Sequence, residues 1–189
     1  MNYDSPTPTS LLVQCRANNQ ESWDTLSLLY SRLIWHWCAS AGFSDADCHD
    51  ISQEVFLSVA RNIDSFRKEK PEQKFRYWLK SITRSRISDF RKKKQRTPIA
   101  VGELEDYQQN EVEIPDDEAT ETMLIYCQLM KILEKHFSER DIQVFKRLST
   151  SEGVTSASIG EEFGITATAV RQIKYRIKKR ILEEYEDVL

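Results

Sequence analysis

The stretch Asp50–Ile63, DISQEVFLSVARNI, has the periodicity from which the fold of the chain can be predicted. Apolar residues recur three or four positions apart and share one side of an α-helix: Ile51, Val55, Val59 and Ile63. The opposite side carries Asp50, Gln53, Glu54 and Leu57. An exposed leucine among acids is typical of a protein-binding face, and an ordinary solvated helix face explains the pattern about as well. The stretch therefore predicts an amphipathic helix with a candidate interaction surface.

The sequence before this stretch is also helical in pattern. Between residues 9 and 40 the apolar positions recur at helical spacing, which predicts a helical hairpin with a break near Asn18-Asn19. Gly42 is expected to end the second helix, because glycine readily adopts the left-handed conformation found there. Ser44 or Asp45 is expected to cap the third helix, which would run to about Ile63.

A fourth helix follows and ends in a basic run. The apolar residues within Tyr77–Phe90 predict the helix. From Arg84 to Arg96 the chain has seven basic residues and a single acid, Asp89. The net charge of −3 therefore conceals a strong segregation of charge, which leaves nucleic acid as a candidate partner.

The next stretch, from Thr97 to Glu121, has nine acids and no Lys or Arg. It contains two prolines and a glycine and no sustained helical stripe, which predicts a flexible acidic linker. Its charge is opposite to that of the preceding helix, so the two could hold the free protein closed, although no feature of the sequence decides this.

Helical periodicity resumes at Met123, and the expected fold is all-α. Only five glycines and five prolines occur in 189 residues, which favours helices joined by short connections over a sheet with many tight turns. We predict two small helical domains, residues 1–96 and 122–189, joined by the linker at 97–121.

The segment Ser158–Val170, SIGEEFGITATAV, has the pattern of a helix, a tight turn at Gly164 and a second helix capped by Thr166. In that second helix one stripe is apolar: Val170, Ile173, Ile177 and Ile181. The outward face carries groups able to contact base edges and phosphates: Thr168, Arg171, Gln172, Tyr175, Arg176 and Lys179. A solvated basic helix is the alternative. Because turn, cap, stripe and basic face agree, DNA recognition is favoured.

Catalysis and metal binding find little support in the sequence. It has no phosphate-binding glycine loop, no G-x-S-x-G, no H-E-x-x-H and three isolated histidines, so neither an enzyme nor a cofactor is expected. A zinc site could in principle be built from His36, Cys38, Cys48 and His49. Buried thiols on an apolar helix are the ordinary explanation, so we predict no metal and reduced cysteines.

No targeting or membrane segment is recognisable in the sequence. The chain begins without a basic, apolar signal pattern, and no stretch is apolar over a membrane thickness. We therefore expect a cytoplasmic protein without membrane insertion.

Three stretches closely resemble region two of the sigma-70 family of transcription initiation factors: Asp50–Leu57, Phe75–Leu79 and Asp89–Lys92. Leu11–Tyr30 resembles the opening helices of the family, and Phe137–Leu182 resembles region four. The order of these stretches, with a linker in place of region three, resembles the extracytoplasmic-function subgroup. Ser85 departs from the pattern, since many members have Asn there, which affects expectations about local contacts of that helix.

The resemblance implies a factor that binds core RNA polymerase, directs it to specific promoters and helps to melt the minus-ten element. The implied polymerase contacts are the beta-prime clamp helices and the beta flap. The residues that match the clamp-binding surface are Asp50, Gln53, Glu54 and Leu57. The linker would thread through basic polymerase channels or act as a solvated tether. Whether an anti-sigma protein is a further partner stays open.

The resemblance also assigns DNA contacts. The loop Ile63–Lys74 and the helix after it would capture an unpaired minus-ten base, which needs an aromatic or planar platform. The candidates for this platform are Phe66, Arg67, Phe75, Tyr77 and Trp78, although Trp78 is at least as well explained as core. The candidates for backbone binding are Arg84, Arg86, Arg91, Lys92, Lys93 and Arg96. The candidates for the minus-35 element are Thr166, Thr168, Arg171, Gln172, Tyr175, Arg176 and Lys179.

Two other classes of binding protein would explain part of the sequence. An ordinary helix-turn-helix regulator would explain the C-terminal segment but not the Asp50–Leu57 face together with the aromatic and basic fourth helix. Promoter binding without polymerase would favour it. An adaptor that binds only polymerase would leave the basic recognition helix without a role.

Overall fold

The structure is a computed structural model that describes residues 10–67, 73–96, 114–150 and 153–189. In these ranges the regular elements are helical, and the all-α prediction is confirmed. The helices are α1 Leu11–Arg16, α2 Gln20–Ser40, α3 Asp45–Asn62, α4 Phe75–Arg96, α5 Glu118–Leu133, α6 Glu139–Thr150, α7 Ser156–Phe163 and α8 Ala167–Tyr185, with a 3-10 turn at Ile63–Ser65. Of the described helices, none has the length and apolar character needed to cross a membrane.

Local signals set the boundaries of the first three helices. Asn18 has a left-handed backbone (φ 58°) between α1 and α2, so the predicted break is confirmed. Gly42 is also left-handed (φ 85°) just after α2, as its position predicted. Ser44 is the cap of α3, and its hydroxyl accepts a hydrogen bond from the Asp47 N–H at 3.3 Å. These residues fold locally as the sequence indicates.

The chain forms two compact units that differ from the predicted domains. One unit contains residues 26–125, and the other contains residues up to 25 together with 126–189. Helices α2 and α5 contribute residues to both units. The division into domains at 1–96 and 122–189 therefore remains a prediction about function, and residues 97–113 of the predicted linker lie outside the described residues.

The last residues of the predicted linker are helical. Helix α5 begins at Glu118, where the sequence pattern indicated no helix before about residue 122. The side chain of Asp117 accepts a hydrogen bond from the Thr120 N–H at 3.0 Å, which caps the new helix. Glu118 and Glu121 lie in the first turn, where negative charge is favourable. The same acids that gave this segment the composition of a linker therefore stabilise the N-terminal end of α5.

The unit of residues 26–125 has its core between α2, α3 and α4. The predicted inward stripe of α3 is confirmed, since its members are at most 3 % exposed: Ile51, Val55, Val59 and Ile63. Trp37 of α2 and Leu79 of α4 are buried with them. Burial of each such side chain stabilises the fold by about 1.5–3 kcal/mol. Because the buried stripe holds one side of α3 against the core, the opposite side faces solvent.

The other unit packs α1, the end of α5, α6, α7 and α8 around a second core. Val170, Ile173 and Ile177 are buried as predicted, whereas Ile181 is only half-buried. The chain end is attached to α1, because the Leu12 N–H donates to the Asp187 carboxylate at 2.9 Å. Burial of that carboxyl raises the pKa of Asp187.

Candidate protein and nucleic-acid interfaces

The outer face of α3 is a continuous acidic surface with one apolar side chain. Asp50, Gln53, Glu54 and Leu57 are all exposed, and half of the Leu57 side chain is open to solvent. Nε2 of His49 lies 2.8 Å from the side-chain nitrogen of Gln53 on this face. Since the opposite stripe of α3 is buried, the face is presented on a rigid helix. This arrangement suits a partner with basic groups around an apolar spot.

The aromatic candidates for base capture are divided between core and surface. Phe66 and Phe75 are 6 % and 1 % exposed, and their ring centroids lie 5.3 Å apart. The Trp78 ring lies 5.4 Å from that of Phe66 and 5.3 Å from that of Phe75, and Trp78 is half-buried. In this structure Phe66 and Phe75 leave little ring surface on which a base could stack. In the structure both rings pack in the core beside the first turn of α4.

The exposed candidates near this aromatic cluster are Arg67 and Tyr77. Tyr77 is 44 % exposed, and the guanidinium carbon of Arg76 lies 5.0 Å from the centre of its ring. Arg67 is exposed, and its guanidinium donates to the backbone oxygens of Asp64 and Phe66. A planar guanidinium and a phenol ring are both groups on which a base can stack.

The basic end of α4 is partly engaged by neighbouring residues. The Arg91 guanidinium donates to the Ala41 carbonyl at 2.8 Å and lies 5.4 Å from the centre of the Phe43 ring. Lys94 pairs with Asp47 at 2.7 Å. Arg91 therefore neutralises the C-terminal end of α2.

The other cations of this end differ in exposure. Arg84, Lys92 and Lys93 are exposed, whereas Arg86 is half-buried and pairs with Asp89 at 3.3 Å. The side chain of Arg96 lies outside the described residues. The accessible cations of α4 can contact an anionic backbone without sequence preference.

A buried charged cluster on α4 was missed by the sequence reasoning. Arg76 and Lys80 are each 4 % exposed, and Glu121 from the start of α5 is 1 % exposed. The Lys80 ammonium lies 2.9 Å from the Glu121 carboxylate, which also accepts a hydrogen bond from the Trp37 indole at 2.8 Å. The available signal was two cations four residues apart on a helix, followed by acids at the predicted end of the linker.

The turn between α7 and α8 has the predicted geometry. Gly164 is left-handed (φ 64°) and ends α7, and Thr166 caps α8 by accepting a hydrogen bond from the Ala169 N–H at 3.1 Å. Gly160 is buried, and a Cβ added there would lie 2.6 Å from the Ile165 carbonyl oxygen. The turn thus packs directly on α7, and this close approach fixes the path of α8.

The outward face of α8 is accessible. Its predicted contact residues are all exposed: Thr166, Thr168, Arg171, Gln172, Tyr175, Arg176 and Lys179. Tyr175 is 67 % exposed, and Arg171 donates to the Thr168 hydroxyl at 3.1 Å. Arg176 also pairs with the mostly buried carboxylate of Asp141 on α6 at 2.9 Å. Arg176 therefore has a positioning role that the sequence did not indicate.

The cysteine and histidine residues considered for zinc are not gathered into a metal site. Cys38 and Cys48 are buried, and burial raises the pKa of the Cys38 thiol to about 12. Cys48 Sγ lies 3.7 Å from the Phe43 carbonyl oxygen. Across the ranges that the structure describes, no three His, Cys, Asp or Glu side chains are grouped in a way that could hold a metal ion.

One family model matches a segment of the chain. Residues 26–97 match the family Sigma-70 region 2, and the matched segment contains the whole of α3 and α4. No curated protein matches the chain. The match shows that the segment containing α3 and α4 is similar to region 2 of sigma-70 family factors.

Proposed function

We propose that the chain is a cytoplasmic sigma factor of the extracytoplasmic-function type, which binds core RNA polymerase, directs it to specific promoters and helps to melt the minus-ten element. The main support is that the segment matching Sigma-70 region 2 has an exposed acidic face on α3, and that the opposite side of the same helix is buried in the core. The function is one of binding, with no catalytic step of its own.

The α3 face is proposed to bind the clamp helices of the beta-prime subunit. Asp50 and Glu54 would pair with basic groups, while Leu57 would bury apolar area between them. The rigidity of α3 supports this role, because a preformed surface loses little conformational entropy on binding. The beta flap is proposed as the contact of the C-terminal unit.

Two helices are proposed to bind promoter DNA. The exposed groups of α4, with Arg67 and Tyr77 near its start, would contact the melted minus-ten strand. The outward face of α8 would enter the major groove of the minus-35 element, with Arg171 and Gln172 as base-reading candidates. The support for the second assignment is the tight turn at Gly164 and the uninterrupted exposure of that face.

In vitro transcription tests the proposal. Purified bacterial core polymerase is assayed with and without the chain on genomic DNA fragments that include the region upstream of its own gene. Discrete transcripts that require both proteins are expected. Sequence-specific DNA binding without such transcripts would contradict the proposal and support an ordinary helix-turn-helix regulator.

Charge reversal tests the polymerase surface directly. Asp50→Lys and Glu54→Lys are expected to weaken binding to core polymerase by about tenfold or more each, because a like charge then faces the basic partner. Asp24→Lys, at an exposed acid of α2 outside the matched segment, is the control with the same change of charge. Equal affinities for all three variants and the wild type would remove the α3 face from the interface.

A further inference from the structure

The cations of α4 that are most deeply buried are covered by an acidic segment. We call residues 114–122 the acidic strap; it contains the end of the predicted linker and the first turn of α5. Beneath it, Arg76 and Lys80 lie one helical turn apart, each with 4 % of its surface exposed. Lys and Arg are almost never buried to this extent without partners, so the strap accounts for their burial.

Three carboxylates of the strap pair with these two cations. Asp116 lies 2.9 Å from the Lys80 ammonium, and Glu118 lies 2.7 Å from the Arg76 guanidinium. The carboxylate of Glu121 lies between both cations, 2.9 Å from Lys80 Nζ and 3.4 Å from Arg76 Nε. The cations are thus contacted from several sides by oxygen anions, which is the environment that a nucleic-acid backbone also provides.

The strap also contacts a base-stacking candidate. The Tyr77 hydroxyl lies 3.3 Å from the Glu118 carboxylate and 3.2 Å from Arg76 Nη2. The exposed phenol ring lies beside the Arg76 guanidinium. Proteins bind single-stranded nucleic acid with such combinations, since the ring stacks on bases and the cation contacts phosphates. Glu118 accepts hydrogen bonds from both the Tyr77 hydroxyl and Arg76.

The contact has a buried centre and an exposed edge. Within the described residues, Arg76 Nε and Glu121 Oε2 are buried 3.4 Å apart as an ion pair, without a hydrogen bond between them. The side chains of Asp116 and Glu118 are instead 85 % and 65 % exposed. Because water and salt weaken the attraction between exposed charges, the pairs made by Asp116 and Glu118 are the ones that an external anion can displace first.

We propose that Arg76, Lys80 and Tyr77 form a single-stranded nucleic-acid site on α4, and that the acidic strap is its built-in competitor, with carboxylates at the positions that backbone phosphates would take. The inference rests on the proposed binding of the minus-ten strand by α4 and adds its regulation. The site is closed in the free chain and opens when the strap leaves α4. DNA binding by the free protein is therefore suppressed.

The decisive variant is Glu121→Gln. The amide keeps the size of the side chain but places a donor or a weaker acceptor against Arg76 and Lys80. The full chain is titrated against a fluorescein-labelled, twelve-nucleotide single-stranded DNA of mixed sequence, and binding is followed by anisotropy. If the open state is populated at about a tenth or less in the wild type, opening the site raises the apparent affinity by about tenfold or more.

Two neighbouring acids provide the matched control. Asp116 pairs with Lys80, whereas Asp117 caps α5 through Thr120, and asparagine is an equally good cap. Asp116→Asn and Asp117→Asn remove the same charge from adjacent positions. Asp116→Asn should raise the affinity for the labelled DNA and Asp117→Asn should not; equal gains would overturn the proposal in favour of general charge repulsion. Since Asp116 is exposed, its variant also serves if Glu121→Gln folds poorly.

The cations are tested in the opened background. Adding Arg76→Gln and Lys80→Gln to Glu121→Gln should abolish the gain and reduce the salt dependence of binding, with log Kd losing about 0.7 of slope per phosphate contact. No gain for Glu121→Gln, or a gain that survives removal of both cations, would overturn the covered site. Transcription by the wild-type chain with core polymerase is scored separately, so failure of the strap proposal and failure of the proposed function give different results.

Discussion

The two helices proposed to bind DNA differ in how ready they are to do so. The candidate contact residues of α8 are all exposed, and the opposite side of the helix is a buried apolar stripe. At α4, the buried rings of Phe66 and Phe75 pack at the start of the helix. Arg91 and Lys94 contact neighbouring residues, and the acidic strap covers Arg76. The α8 surface is preformed, whereas the α4 surface is partly occupied by the protein itself.

The difference follows from what each surface would bind. A duplex groove has a fixed shape, so a rigid exposed helix can match it without rearrangement. Melted DNA is flexible, so a protein that binds it must stack on its bases and neutralise its phosphates at the same time. A site able to do this would bind any single strand. Internal contacts that compete for the same cations would limit such binding to the occasions when the strap is displaced.

The largest expected effect is on the turn that positions α8. Gly160→Ala places a Cβ 2.6 Å from the Ile165 carbonyl oxygen, so the turn must move and the unfolding free energy should fall by about 1–3 kcal/mol. Urea unfolding of the full chain measures it. The control is Gly42→Ala, where nothing lies within 4 Å and only the left-handed backbone opposes the change. A smaller cost at Gly160 than at Gly42 would contradict the close packing of turn and helix.

A second experiment separates base reading from positioning on α8. Arg171→Ala should weaken binding to the promoter's upstream element by about 1–3 kcal/mol if it reads a base, with unfolding unchanged. Arg176→Ala should also lower stability, by up to about 1 kcal/mol, because it removes the shorter of the two ion pairs that Asp141 makes with Arg176 and Arg140. Binding is compared on the cognate site and on a scrambled duplex. A uniform loss on both duplexes would assign either arginine to phosphate contact alone.

Much of the α8 surface could be predicted from sequence because its signals are local. Gly164 and Thr166 fix the turn through backbone conformation and capping, and both act within four residues of their own position. The same holds for the α3 face, whose exposed and buried sides follow from periodicity alone. Local physics also predicted the break at Asn18.

The α4 surface could not be predicted in this way because its partners are distant in sequence. Arg76 and Glu121 are forty-five positions apart, and nothing in the periodicity of α4 indicates which cations will be covered. Phe66 and Phe75 have the composition expected of a stacking platform, and their burial depends on Tyr30 and Trp78. The pairing of Arg176 with Asp141 was missed for the same reason.

A third experiment asks whether Thr166 contributes to α8 as a cap or as a DNA contact. Thr166→Ala removes the hydroxyl that accepts from Ala169 and should lower the unfolding free energy by about 1 kcal/mol. Thr166→Ser keeps the acceptor and should restore stability. DNA binding is measured at a temperature where both variants are folded. If the two variants and the wild type then bind DNA with equal affinity, Thr166 acts only as a cap. Weaker binding by Thr166→Ser than by the wild type would indicate a contact of the threonine methyl group with DNA.

The smallest expected effect concerns the basic end of α4, where Lys94 pairs with Asp47. Its hydrogen bond with Lys94 holds the pKa of Asp47 below its usual value. A lowered pKa stabilises the folded state at pH values above the unfolded pKa, and that contribution disappears as the pH falls through the folded pKa.

Asp47→Asn should therefore cost about 0.2–1 kcal/mol near pH 7, and almost nothing once the wild-type carboxyl is protonated. The unfolding free energies of the wild type and of Asp47→Asn, measured between pH 7 and pH 3, should converge as the pH falls. Lys94→Met removes the same pair from the other side and should give a similar loss near neutral pH. If Asp47→Asn costs stability and Lys94→Met does not, Asp47 acts through Ser44 and the start of α3. Lys94 would then be as available to DNA as the cations of α8.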